Sequence, residues 1–246
     1  MKLLSIFILV AALISNQLEA FESQNLLGNE NGVNDKLIKL IEKFKDILRK
    51  GNESIGLPVM DPLTINHHEL PMKSELFSGE VKIDNLQLLG LSNYNVIKVD
   101  LKIVGLKLIL GLHWPGLNAI ISNYNIDGVA LKFIDVYGKG SLKMNLNNLN
   151  FTTTVSISTN KTDKTLFIKE MKSEVALQDF QFLIDGLYND KDLSDMTNAI
   201  ATDLVPSAIK TYQKKLTGTI NNAVTTRANK ILRTMTLKDL LGLVNG

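Results

Sequence analysis

The run VDLKIVGLKLILGL, Val99 to Leu112, decides the fold. In its first half Val99, Leu101 and Ile103 alternate with Asp100 and Lys102, and beyond Gly105 the apolar positions become Leu106, Leu108, Leu110 and Leu112. A period of two is that of a β-strand with one buried face. The change from odd to even positions predicts a bulge or bend at Gly105, because one extra residue turns every later side chain to the other face.

The same period extends outward in both directions. Val81 and Ile83 alternate with charges on one side; on the other come Val129, Leu131 and Phe133, then Leu142, Met144 and Leu146, then Leu149, Phe151, Thr153, Val155 and Ile157, then Val175 and Leu177 and, after a shift, Phe180 and Phe182. Long strands joined by short polar turns from about Glu80 to Ile184 describe an antiparallel sheet with one wet face.

Helical periods flank the sheet. Val33, Leu37, Leu40, Ile41, Phe44, Ile47 and Leu48 share one face of a helix that Asn34 can cap, with Arg49, Lys50 and Gly51 suited to its end. Near the C-terminus Leu193, Met196, Ile200, Leu204, Ala208, Tyr212, Leu216, Ile220, Ala223, Ala228 and Ile231 follow one stripe for about ten turns. Pro206 should kink or divide it. Thr236 and Asp239 have the spacing of a capping box for a short last helix. So long a stripe needs a long, curved partner surface, and the sheet is the candidate. The class expected is α+β, a curved antiparallel sheet around a long C-terminal helix, with an N-terminal amphipathic helix.

Residues 1–20 read as a secretory signal peptide: Lys2, the apolar run LLSIFILVAALI, then SNQLEA. That run is well short of the ~20 residues that span a bilayer. Residues 21–246 then form one domain, secreted into an extracellular fluid and expected to be a monomer. No later segment is long and uncharged enough for stable membrane insertion. Three sequons, at Asn52, Asn150 and Asn160, fit that route. Asn160 lies in the polar turn STNKTDKT and is the best placed for a glycan.

The chain has no cysteine, which excludes disulfides, thiol catalysis and thiolate metal sites. Its stability must come from the core. A net charge of +2, with no basic run interleaved with aromatics, argues against a nucleic-acid partner.

Four blocks of sequence, in order, carry a family resemblance: GLPVMDPL (Gly56 to Leu63), NLQLLGLSNYNV (Asn85 to Val96), Trp114 to Leu146 with its Tyr-x-x-x-Gly and Gly-x-Gly spacings, and GLYNDKDLSDMTN (Gly186 to Asn198). They resemble the takeout and haemolymph juvenile hormone binding protein family of insects. The resemblance implies a tubular lipid-binding fold and a secreted, non-enzymatic carrier of a small hydrophobic ligand such as juvenile hormone, another terpenoid or a fatty acid. It also implies roles in hormone, circadian or feeding signalling. The family usually has a cysteine pair near the start of the mature chain, and this sequence has none. Candidate tunnel-lining residues are Leu106, Leu108, Leu110, Trp114, Tyr124, Phe133, Phe151, Phe180, Phe182 and Tyr212. Tyr94, Tyr124, Tyr212 and Asn123 are candidates for a polar contact. The alternative is a secreted interaction or surface-active protein with the same fold and no filled pocket.

Motifs for catalysis are missing. There is no Gly-x-Ser-x-Gly or HExxH, and Gly138-Lys-Gly-Ser141 has its lysine in the wrong place for a phosphate loop. His67 and His68 are neighbours in a segment that should be extended, so their side chains point to opposite faces. His67 and Glu69 share a face but supply only two ligands, where a catalytic zinc takes three, and His113 would have to complete the set. Neither a metal nor an organic cofactor is expected.

Overall fold

The computed structural model describes residues 30–53, 57–73, 77–102 and 104–239, so the expected leader lies outside the described residues, as does the side chain of Val33. The elements are α1 (Glu30–Lys50), β1 (Leu63–Lys73), β2 (Phe77–Leu89), β3 (Asn95–Lys102), β4 (Lys107–Ala130), β5 (Ile134–Thr159), β6 (Leu166–Ile184), α2 (Lys191–Thr211) and α3 (Gln213–Leu232). One antiparallel sheet runs β1-β2-β4-β5-β6. Since β5 occupies one edge of β4 throughout, β2 and β3 share the other: β3 pairs with Lys107 to His113 and β2 with Asn118 to Ala130.

The change of parity at Gly105 is a full chain reversal rather than a bulge. Leu101 pairs with Leu108 and Lys102 with Lys107, and Gly105 (φ 87) and Leu106 (φ 47) take the left-handed backbone between them. A tight hairpin and a bulge both shift the apolar parity, and a local pattern does not separate them. The expected alternation Val129, Leu131, Phe133 is also broken by a reversal, with Leu131 (φ 51) and Lys132 (φ 71) in the turn between β4 and β5.

A second change of parity crosses three strands at one level. Apolar positions change from Trp114 to Leu117 in β4, from Leu149 to Leu146 in β5 and from Leu177 to Phe180 in β6, and these residues are register partners. Because the strands turn over together, the ladder keeps its register and the apolar face stays continuous. Asn148 takes a left-handed φ of 54 at this seam. Pro115 lies there too, where β4 passes from β3 to β2 as its partner. A strand tolerates a missing N–H at such an interruption.

α1 ends as its sequence indicates: Gly51 (φ 73) donates its N–H to the Ile47 carbonyl at 2.8 Å, with Arg49 and Lys50 in the last turn. Asn34, by contrast, is no cap. The helix begins at Glu30, and the Asn34 Oδ1 accepts from Leu101 N at 2.9 Å on the free edge of β3. An exposed strand amide needs a partner as much as a helix start does, and tertiary packing brought this one within reach.

The C-terminal helices run along β6. Pro206 stays inside α2, and the division comes at Tyr212. α3 buries Val224 and Ala228, and both helices also bond β6 through polar side chains: Asn198 accepts from Ile184 N (2.7 Å) and donates to Ile184 O (3.1 Å), Thr202 accepts from Phe182 N (3.2 Å) and Asn229 accepts from Ile168 N (2.7 Å). These side chains satisfy the edge groups of β6 that no further strand pairs. Thr236 and Asp239 form the capping box, each accepting from the other's backbone N–H, at 2.7 Å and 3.3 Å.

Candidate functional site

The apolar inner face of the sheet is packed at one end. There α1 buries Leu37, Ile41, Phe44 and Leu48 against Met60, Leu63, Leu91, Tyr94, Leu101, Leu110, Leu112, Trp114 and Phe151. Polar bonds lock this end. The Asp61 carboxylate accepts from Gly90 N (2.8 Å), Ser92 N (2.8 Å) and Ser92 Oγ (2.5 Å), and Arg49 Nε donates to the same Ser92 Oγ at 2.9 Å. Gly90 (φ 94) has no room for a side chain, since a Cβ would come within 2.6 Å of the Gly116 carbonyl. The Asp-Pro-Leu and Gly-Leu-Ser blocks of sequence are therefore two halves of one joint. Trp114 donates from Nε1 to Leu91 O at 3.0 Å and meets Tyr94 edge-on at 5.6 Å, and the Tyr94 hydroxyl donates to Ile41 O. Burial pushes that phenol's pKa up.

The far half of the inner face, past the seam, is covered less. Ile83, Ile121 and Tyr124 form a small cluster with Val81, Leu86, Ile126, Leu142 and Ile184 around it. The Tyr124 hydroxyl donates to Asp185 O at 2.7 Å, and burial, aided by the Asp185 carboxylate, raises its pKa to about 12. Following the register outward on the same face gives Leu70 and Met72 on β1 and Ile134 on β5, all exposed. Gly79 and Gly128 pair with each other there, and the Phe77 ring lies over Gly128, where a Cβ would come within 2.7 Å of its Cζ.

At the level of this half stands α2. Asn198 and Thr202 turn toward β6 and the Ser194 hydroxyl donates to Leu187 O, while Met196, Ile200 and Leu204, on the other side of the helix, are 54%, 48% and 59% exposed. The long apolar stripe is thus not buried on the sheet in this half, as its period suggests. A helical stripe records that a surface is apolar, not what covers it.

Of the sequence-derived tunnel candidates, Leu110, Trp114 and Phe151 belong to the packed end, and Leu108 packs against it. Leu106 is in the β3–β4 turn. Tyr124, Phe180 and Phe182 lie on the inner face beyond the seam, the two phenylalanine rings 6.1 Å apart. Phe133 is 77% exposed in the β4–β5 turn, and Tyr212 is exposed at the junction of α2 and α3. Leu70, Met72 and Ile134 escaped the sequence reading because charged and turn residues interrupt their periodicity.

The polar candidates have structural partners. His67 Nδ1 lies 2.5 Å from Asp84 Oδ1 and Nε2 3.6 Å from Glu69 Oε1, and the Asp84 hydrogen bond raises the imidazole pKa above its ordinary 6.5. His113 bonds Asn150 at 2.9 Å on a different part of the sheet, pairing with β3 rather than β2. No group of three metal-ligating side chains is present among the described residues. Asn160 is exposed in its turn and its Oδ1 accepts from Thr162 N, Asn150 lies within β5, and Asn52 bridges to Leu57 after α1. Gly138-Lys-Gly-Ser141 is architectural. A Cβ on Gly140 would strike the Asp185 carbonyl at 2.2 Å, and Ser141 N and Oγ both donate to the Asp185 carboxylate.

The sequence model described as haemolymph juvenile hormone binding protein matches residues 5–242. The chain belongs to that family. Among solved structures, Takeout 1 of Epiphyas postvittana is similar over 83% of this chain and 92% of that one, at 16% identity and a TM-score of 0.56. A lipopolysaccharide binding protein aligns over 88% of this chain and 40% of its own, at 11% identity and a TM-score of 0.35. No curated protein matches in sequence. Membership places this chain among binding proteins of the α+β tubular lipid-binding architecture. No helix among its described residues is long and apolar enough to cross a membrane.

Proposed function

We propose that the protein is a secreted, monomeric carrier that holds a lipid-like ligand non-covalently in the half of the molecule beyond the seam. The observation that carries this reading is the pair of apolar surfaces left uncovered there: the Met196, Ile200 and Leu204 arc of α2 and the outer inner-face residues of β1 and β5. An elongated apolar molecule is the chemical class that such surfaces take. Covering ten methylene equivalents yields roughly 8 kcal/mol before ordering and association costs of several kcal/mol, so apolar cover on that scale gives weak binding, and micromolar affinity takes more buried surface or a polar contact. Tyr124, Phe180 and Phe182 are the sequence-derived residues proposed to line it. The leader-like N-terminus and the exposed Asn160 sequon support secretion and glycosylation. Displacement of a fluorescent fatty acid or a terpenoid hormone analogue tests the reading, with native mass spectrometry of protein from its source reporting ligand identity. A crystal structure whose interior is filled by side chains and inaccessible would refute it.

A second reading has the same arc in its favour: an exposed apolar helix face also suits a protein partner. Size-exclusion chromatography with light scattering separates the two. Self-association that persists with lipid bound supports the partner, whereas a monomer with and without lipid supports the carrier.

A further inference from the structure

The end of the sheet opposite α1 carries a feature that carriage of a ligand does not require. The β4–β5 turn projects Leu131 and Phe133, 49% and 77% exposed, with Lys132 between them, and Ile134 begins the next strand. Phe77 of β2 pairs with Ala130 at the foot of this turn, and Met72 and Lys73, the last residues of β1, pair with Gly79 and Ser78 of β2 close by. Among the described residues, the acidic groups on the two strands that lead into and out of this turn are Asp127 and Asp135. We propose that this end is a membrane-contacting tip, whose occupant is the headgroup and upper acyl region of a phospholipid surface.

Three observations favour lipid over protein. The apolar side chains sit on a turn apex, a convex point; a stable protein interface wants roughly 800 Å² of complementary surface per partner, whereas a fluid lipid layer closes around single side chains. An aromatic and a leucine flanking a lysine match the layered chemistry of that surface, with the ammonium reaching phosphate while its stem and neighbours enter the acyl layer. Finally, Ile134 and Met72 make the tip continuous with the uncovered inner face, so an apolar molecule leaving a membrane here stays on apolar surface. The contact rests on the carrier reading only for its purpose and is testable without a ligand.

The test is flotation of the full chain with protein-free vesicles of phosphatidylcholine containing phosphatidylglycerol, comparing wild type, Phe133→Glu, Leu131→Glu and a control at the opposite end. That control is Val104→Glu, 89% exposed in the β3–β4 turn between Lys102 and Lys107. Wild type and Val104→Glu are expected to float, and each tip variant to lose binding by about tenfold or more, the value of one buried large apolar side chain. All four should keep one melting temperature, and Leu131→Glu and Val104→Glu should bind a soluble fluorescent fatty acid as wild type does. No flotation of wild type, or equal loss in Val104→Glu and the tip variants, overturns the proposal. Loss of fatty-acid binding in wild type refutes the carrier reading instead and leaves the flotation result to stand alone.

Discussion

The Asp61 carboxylate takes three hydrogen bonds from the Gly90–Ser92 turn, so Asp61→Ala strands two backbone donors and a hydroxyl in a half-buried joint. A loss of about 2–3 kcal/mol in urea unfolding is expected, since each is a bond to a charged acceptor. Gly90→Ala should cost at least as much, because its Cβ meets a carbonyl and its φ is left-handed. His67 is an exposed counterpart. Its pKa is raised by Asp84, so the pairing contributes below pH 6.5 and is lost as pH rises through the folded-state value. NMR titration should find the imidazole above 6.5 in wild type and closer to 6.5 in Asp84→Asn. The sequence marked Asp61-Pro-Leu and Gly90-Leu-Ser as blocks but could not show that they touch. Their contact depends on where β1 and β2 bring the chain, not on local spacing.

Elements with a strong period were readable, and their ends less so. α1 and the sheet follow from side-chain spacing because burial imposes it directly. The chain reversal between β3 and β4 did not follow, since a hairpin and a bulge shift parity alike, nor did the role of Asn34, which a strand distant in sequence decides. The edges of the sheet show the same dependence: Asn34 serves β3, while Asn198, Thr202 and Asn229 serve β6. An exposed helix asparagine and one that closes a sheet edge look alike in sequence. Asn198→Ala is expected to speed hydrogen exchange of the Ile184 amide about tenfold and to cost about 1–2 kcal/mol, as one bound backbone donor and one acceptor lose their partner. Thr236→Ala should loosen the last turn for about 1 kcal/mol through loss of the capping box.

Across the whole molecule, the proposed carrier gives its two ends different work. Leu110→Ala opens a cavity in the α1 end and should cost about 2–5 kcal/mol in stability. Met196→Glu with Ile200→Glu, on exposed positions, should change stability by no more than about 0.5 kcal/mol per site yet weaken fatty-acid binding about tenfold or more, read by fluorescence displacement. Tyr124 adds a pH signature: with its pKa raised to about 12 from 10, its contribution is whole below pH 10 and lost as pH climbs toward 12, and Tyr124→Phe should flatten that part of the curve. The sequence alone determined the succession of helix, long strands and long helices, because periodicity is a local record of which side chains leave water. It also carried the family, in four ordered blocks. Only the tertiary structure decided which apolar side chains are spent on packing and which remain uncovered. Hydrophobicity measures the gain on leaving water, and that gain is the same whether the cover is another strand, a ligand or a lipid surface.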